Sequence, residues 1–331
     1  MAKKKALFVL GADPYRKIYG EAQKKQVNDL VDVYAPPQTA RSTADSPEIL
    51  NEAEVIMSGW RAPRMDAKFL ADAPRLEAVF YGAGSVRGMV SDDLWDRGII
   101  VTSSYAANAI PVAEFTLSQI IFCLKLGWRH AFAAKRKKEW RKLEVPGCYK
   151  SRVGLISMGM IARKTLALLR PFDLETSVYS TSMTEDEASE LKVRLCTLEE
   201  IFETCDVVSL HTPNLPQTRG MIKGSHFASM KRDASFINTA RGAVIDEPAM
   251  IEALKKRPDV TAVLDVTFPE PPESDSPLWT LPNVVLVPHI AGSMSAECRR
   301  MGQYAADELR RYLNGEPLQW RITREMAAKL A

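Results

Sequence analysis

Short apolar runs rich in β-branched residues alternate with helical patterns along almost the whole chain, and this alternation restricts the fold more than any other feature. In the first third the runs are Ala6–Leu10, Val55–Ser58, Ala78–Tyr81 and Ile99–Thr102. Later come Val153–Ile156, Ser177–Tyr179, Val207–Leu210, Ser235–Asn238, Ala262–Val266 and Val284–Val287. Each is short, continuous and bounded by Gly, Pro, Asp or Asn, as strands buried on both faces are. Spaced by helices, such strands predict βαβ units and parallel sheets in an α/β chain.

A length of 331 residues favours two domains over one. Two helical patterns stand out. One starts near Ala109, with Pro111 expected in its first turn, where a missing N–H costs little, and runs to Leu126. The other runs from Ser293 to Asn314, with Gly315 as its stop. The strands from Val153 to Val287 lie between them, so one α/β unit is inserted into another. The expected division is a discontinuous domain of residues 1–103 and 293–331, and a continuous one of residues 104–292.

Hydrophobic residues make up 46% and charged residues 26%, as in an ordinary globular protein. A net charge of +3 is too mild to imply a nucleic-acid partner. Five cysteines, an odd number with no CxxC spacing, read as reduced thiols in a cytoplasmic protein. Four scattered histidines argue against a metal cluster. Lys3–Lys5 precede an apolar run, but Ala6–Leu10 is too short for a signal peptide and reads as a strand. The most apolar stretch, Ala109–Leu126, carries Glu114, Gln119 and Lys125, so no segment reads as membrane-spanning. The basic stretch Lys135–Lys142 reads as a solvated helix face or loop, with an anion-binding patch as the alternative.

Residues 153–163, VGLISMGMIAR, have the strand–turn–helix context of a dinucleotide-binding fingerprint. Its three glycine positions fall on Ser157, Gly159 and Ala162. Gly159 would let backbone approach a pyrophosphate, and Ala162 would let the helix pack on the sheet. Ser157 departs from the pattern, because a Cβ penalises positive φ. The acidic ribose ligand expected about 20 residues on is missing, since Ser180, Thr181 and Ser182 follow the next strand. Hydroxyls can donate to a 2′-phosphate, which leaves NAD or NADP open with a lean toward NADP. Arg163 is the candidate phosphate partner.

Three further segments carry chemistry: NTARG at 238–242, LDVTFPEP at 264–271 and PHIAGS at 288–293. A substrate oxygen on which negative charge develops needs a proton donor, and imidazole delivers a proton in the useful pH range. His289 follows a strand end, where open α/β sheets place their sites. Glu270 would orient its ring, and Arg241 could grip a carboxylate with its planar fork.

These segments, with NAIPVAE at Asn108–Glu114, RPF at Arg170–Phe172, LHTPNLPQTRGMI at Leu210–Ile222 and PLW at Pro277–Trp279, resemble the D-isomer-specific 2-hydroxyacid dehydrogenases over nearly the whole chain. The resemblance implies two Rossmann-like domains: a discontinuous substrate domain and a continuous dinucleotide-binding domain, with a cleft between them. It implies Arg241, Glu270 and His289 as the catalytic set. Cofactor contacts would come from Ser157, Met158, Gly159, Met160, Ile161, Ser180 and Thr181, and from His211, Thr212, Pro213 and Thr218. Thr239, Ala240, Asp265 and Gly292 would complete them, with Asp265 on the nicotinamide carboxamide. His130 and His226 are read as structural. It also implies a homodimer.

The loop Tyr81–Gly88, YGAGSVRG, would present backbone N–H groups of Gly82, Ala83, Gly84 and Ser85 to a substrate carboxylate. Trp60, in MSGWR, would wall the pocket. Arg61 or Arg87 would recognise a second anionic group on a dicarboxylate or phosphorylated substrate, or else form surface ion pairs. The expected activity is NAD(P)-dependent interconversion of a small D-2-hydroxy acid and its 2-keto acid. The alternatives are another oxidation on this fold and a nucleotide-sensing, corepressor-like binding protein with little turnover, which Ser157, Met160 and Ser180 favour.

Overall fold

Contacts in the computed structural model, which describes residues 2–329, divide the chain into two units. One holds the residues up to Asn108 and those from Ser293 onward; the other is Ala109–Gly292.

The first unit is built on β1 (Lys5–Val9), β2 (Asp32–Val33), β3 (Val55–Ser58), β4 (Ala78–Tyr81) and β5 (Ile100–Ser103), which are parallel. The late strand β13 (Arg321–Ile322) adds antiparallel to β5, giving the order β13-β5-β4-β3-β1-β2. Successive residues of the strands enter different cores. Leu7, Val9, Ile56 and Val79 belong to one, and Ala6, Phe8, Met57 and Phe80 to the other. That is why these strands read as unbroken apolar runs rather than alternating ones.

The second unit carries seven parallel strands: β6 (Tyr149–Ile156), β7 (Asp173–Tyr179), β8 (Arg194–Leu195), β9 (Val207–Leu210), β10 (Ser235–Asn238), β11 (Thr261–Leu264) and β12 (Val284–Leu286). Their order is β12-β11-β10-β9-β6-β7-β8. It has two covered faces as well: Val153, Leu155, Val207 and Ile237 on one, Val208, Leu210, Phe236 and Leu264 on the other. Strand order reverses between β6 and β9 here, and between β1 and β3 in the first unit. Loops diverge at such points and leave a crevice at the carboxyl ends.

Two helix readings need correction. The first helix spans Tyr105–Leu124, so Pro111 lies inside it rather than in its first turn. The carbonyl of Ser104 already accepts from the N–H groups of Ala107 and Asn108, which starts the helix before the proline is reached. By length and composition alone this helix is long and apolar enough to cross a membrane. Half of it is buried in the protein, where Ile120, Cys123 and Leu124 share a core with Val153 and Leu155.

The second helix spans Cys298–Leu313 and is preceded by a tight 3₁₀ turn at Ser295–Glu297. Glu297 accepts the N–H of Met294 at 2.9 Å, and Asn108 accepts that of Ser293, which holds these residues out of the helix. Gly315 ends it at φ 68: its N–H reaches Tyr312, and that of Glu316 reaches Arg311, the two bonds of a Schellman stop.

Buried Glu308 on this helix accepts from the N–H groups of Gln319 and Trp320 and from Arg311, which brings the returning chain to the sheet edge as β13. The basic stretch Lys135–Lys142 is exposed throughout, with Trp140 95% exposed.

Candidate active site

Because β6–β12 are parallel, every loop that leaves a carboxyl end in the second unit lies along one edge of one sheet. Most residues singled out from sequence are on those loops. At the exit of β6, Ser157 takes φ 73, the left-handed conformation the missing glycine would have adopted freely. The conformation costs a non-glycine residue about 1–2 kcal/mol. Ser157 is held there by its N–H on the Tyr179 carbonyl at 2.7 Å and by its Oγ, 2.8 Å from Thr212 Oγ1.

Gly159 caps the Met160–Leu169 helix, and a Cβ built on it would meet nothing within 4 Å. Met158 and Ala162 are buried beneath this turn. The open space over Gly159, together with the free N–H groups of a helix start at Met160 and Ile161, fits a dinucleotide pyrophosphate.

At the end of β7, Ser180 Oγ accepts from the N–H groups of Ser182 and Met183, both at 3.3 Å, while Thr181 stays exposed. Arg163 does not stand ready for a phosphate: its guanidinium is paired with Glu187. Glu187 belongs to an acidic helix start, Thr184–Glu187, and only the neighbouring order of β6 and β7 brings it to Arg163.

After β9, His211 is pinned by its N–H on Ile156 and by Nε2, 3.0 Å from Ser209 Oγ. Its Nδ1 is buried with no partner among the described residues, and burial pushes the imidazole down to about 4, so the ring is neutral. Thr212 is buried, and Thr218 Oγ1 donates to the Pro213 carbonyl at 2.6 Å, which shapes the turn between them.

The loops after β10, β11 and β12 are tied to one another. Asn238, which the sequence reading did not single out, accepts from the N–H of Ala240 and donates to the carbonyl of Arg241. Thr239 Oγ1 lies 3.2 Å from Thr116 Oγ1, and the Arg241 guanidinium donates to the Ala240 carbonyl at 2.6 Å. A Cβ on Gly242 would fall 2.0 Å from the carbonyl carbon of Thr267, so the two loops touch backbone to backbone.

Asp265 is 2% exposed, and its carboxylate accepts from the N–H groups of Ile290 at 2.7 Å and Ala291 at 3.2 Å. Burial outweighs these bonds and pushes its carboxyl up. Its carbonyl accepts the N–H of His289, which sits at φ 54, a second left-handed residue held by its surroundings. The result is direct contact between His289 Nδ1 and Glu270 Oε1 at 2.7 Å, with both side chains open to solvent at 47% and 42%. Arg241, after β10, stands on the same edge with β11 between, and Gly292 closes the loop after His289. His130 and His226 lie elsewhere and bind local backbone, at Leu126 and Leu143 and at Lys223 respectively.

In the first unit Trp60 and Arg61 follow β3, and Gly82–Ser85 follow β4. The Trp60 carbonyl accepts the N–H of Gly11, and Arg61 takes φ 63. Gly82 does not offer its N–H, which is bonded to Ser58 at 2.9 Å. Among the described residues no hydrogen bond takes the N–H groups of Ala83, Gly84 or Ser85, while Ser103 Oγ fixes the loop by donating to the Ala83 carbonyl. Arg87 donates to the carbonyls of Ala327 and Ala328, which ties it to the last helix.

Residues 121–291 match the family model of the D-isomer specific 2-hydroxyacid dehydrogenase NAD binding domain. A glyoxylate reductase of Korarchaeum cryptofilum is 31% identical over 81% of this chain and 82% of its own. A D-3-phosphoglycerate dehydrogenase of Methanocaldococcus jannaschii is 30% identical over 81% of this chain but 51% of its own, so the chain spans about half the length of that relative. An NAD-complexed D-isomer specific 2-hydroxyacid dehydrogenase of Lactobacillus delbrueckii superposes with a TM-score of 0.79 over 97% of this chain and 100% of its own, at 19% identity, and so shares the fold. On these matches the chain belongs to the D-isomer-specific 2-hydroxyacid dehydrogenase family.

Proposed function

We propose that this protein is an NAD(P)-dependent oxidoreductase that interconverts a small D-2-hydroxy acid and its 2-keto acid. The observation that carries the reading is the Glu270–His289 contact at 2.7 Å, set on the same sheet edge as a turn that fits a pyrophosphate. When bound, the dinucleotide supplies the hydride to substrate C2, or takes it from there. His289 Nε2 gives a proton to the substrate oxygen in reduction and removes it in oxidation. Glu270 fixes the ring through Nδ1, which leaves Nε2 for the substrate. Arg241 binds the substrate carboxylate and polarises the ketone. Ala83, Gly84 and Ser85 add N–H donors for the carboxylate, and Trp60 walls the pocket.

Ser157–Ile161 would hold the pyrophosphate, and Ser180 and Thr181 the ribose. His211–Pro213, Thr218, Thr239, Ala240, Asp265 and Gly292 would line the rest of the dinucleotide site. With Arg163 taken by Glu187, the hydroxyls at 180–182 suit either NAD or NADP. Two relatives name substrate classes worth assaying, glyoxylate and D-3-phosphoglycerate. Arg61 is the side chain here for a second anionic group. We propose a homodimer, and five unpaired thiols suit a reducing compartment such as the cytoplasm.

Titration with NADH and NADPH, followed by nicotinamide fluorescence and then by addition of a 2-keto acid panel, tests the reading. Saturable binding of one dinucleotide with turnover of a keto acid is expected. Binding without any turnover would instead support a nucleotide-sensing protein.

A further inference from the structure

Glu270 sits on a segment that has little to hold it. Between Thr267 and Pro271 two positions are proline and offer no N–H. Phe268 is 64% exposed, so apolar burial does not anchor the segment either. Its ties are few. Thr267 Oγ1 donates to the carbonyl of Pro269 at 2.8 Å, a bond within the segment itself. Among the described residues, besides the Glu270–His289 bond, two contacts reach it from the chain just after Arg241: the backbone approach of Gly242 to Thr267 and Phe268, and the carboxylate of Glu247, whose Oε2 accepts the N–H of Phe268 at 3.1 Å.

Glu247 is the first residue of the Glu247–Lys256 helix, which Asp246 caps by accepting from the N–H of Ala249. The helix start is therefore fixed independently of Glu247, whose side chain is free to reach back to the neighbouring loop. Burial pushes its carboxyl up and the Phe268 N–H draws it down.

We infer that Glu247 is a positioning residue, whose bond to the Phe268 N–H holds Glu270 against His289. The inference rests on the functional reading above for its effect on turnover. Glu247 touches neither His289 nor any reacting atom. It acts through two residues of backbone, and what it supplies is an acceptor rather than a charge.

A double-mutant cycle tests this. Glu247→Ala lowers kcat about tenfold, the scale of a small misplacement of a reacting group, with KM and dinucleotide affinity unchanged. Glu247→Gln keeps an acceptor and restores kcat to within about twofold of wild type on the same grounds. In a Glu270→Gln background, Glu247→Ala has no further effect, because the contact it supports is already gone. Additive losses in the cycle, or a folded Glu247→Gln as impaired as Glu247→Ala, overturn the inference. If Glu247→Ala does not fold, Glu247→Leu keeps bulk without the acceptor and takes its place. Absence of turnover in the wild type would overturn the functional reading instead. The inference would then be decided by crystal structures, which are expected to show the Glu270–His289 pair parted in the variant and are against it if the pair stays closed.

Discussion

The carboxyl edges of the two sheets look alike in topology and differ in how their polar side chains are employed. Along the second sheet the loops after β10, β11 and β12 bind one another: Asn238 holds Arg241, Asp265 holds the backbone after His289, and Glu270 meets His289 itself. In the first unit two charged side chains hold the returning chain. Glu308 holds Gln319 and Trp320, and Arg87 holds Ala327 and Ala328. What that unit leaves open at its edge is backbone, the N–H groups of Ala83–Ser85. Side chains tied loop to loop thus carry the proposed chemistry in one unit, while Glu308 and Arg87 hold the chain's return in the other.

If that contrast is right, the largest effect on stability comes from a residue remote from the chemistry. Glu308→Ala leaves two N–H groups and Arg311 without their acceptor and should lower unfolding free energy by about 3 kcal/mol. Turnover by the folded fraction should be unchanged. Denaturant unfolding alongside initial rates checks this, and a selective loss of turnover would break the contrast.

The second unit carries an effect of similar size, as a pH dependence. His211 titrates near 4 in the folded chain against an ordinary 6.5. Between these values the unfolded chain binds a proton that the folded chain refuses. The stability is complete above 6.5 and drains as pH falls toward 4, by about 3 kcal/mol in all. His211→Gln should flatten that part of the stability–pH curve, and a variant whose curve still parallels the wild type would remove His211 from the account. The smallest effect sharpens the assignment of Arg87. Arg87→Ala should cost about 1 kcal/mol of stability and leave the KM for a keto acid within about twofold. A rise in KM with no change in melting would return Arg87 to the substrate.

What could be read from the sequence follows the same division. The apolar strands Val55–Ser58, Ala78–Tyr81, Val207–Leu210 and Ser235–Asn238 have the bounds their hydropathy gave, because burial on both faces leaves an unbroken signal. The polar beginnings of β6 and β7 were missed. Arg152 and Glu175 pair across them at 3.0 Å, and a strand held by ion pairs carries no apolar mark. The two-residue strands β2, β8 and β13 are too short to show a period.

At the site, backbone requirements were legible: the penalty expected for a side chain at Ser157 appears as its left-handed φ, and the space expected over Gly159 is open. Side-chain partners far along the chain were not. Nothing near Arg163 announces Glu187, and nothing near Arg87 announces carbonyls 240 residues on. A cation's partner is set by topology, which local pattern does not contain.

The most direct test of the central claim compares wild type with His289→Ala in one preparation, measuring dinucleotide affinity and keto-acid turnover side by side. The account predicts unchanged affinity and a loss of turnover of about 100-fold or more, the contribution of a positioned general acid–base. Turnover that survives the substitution would contradict it.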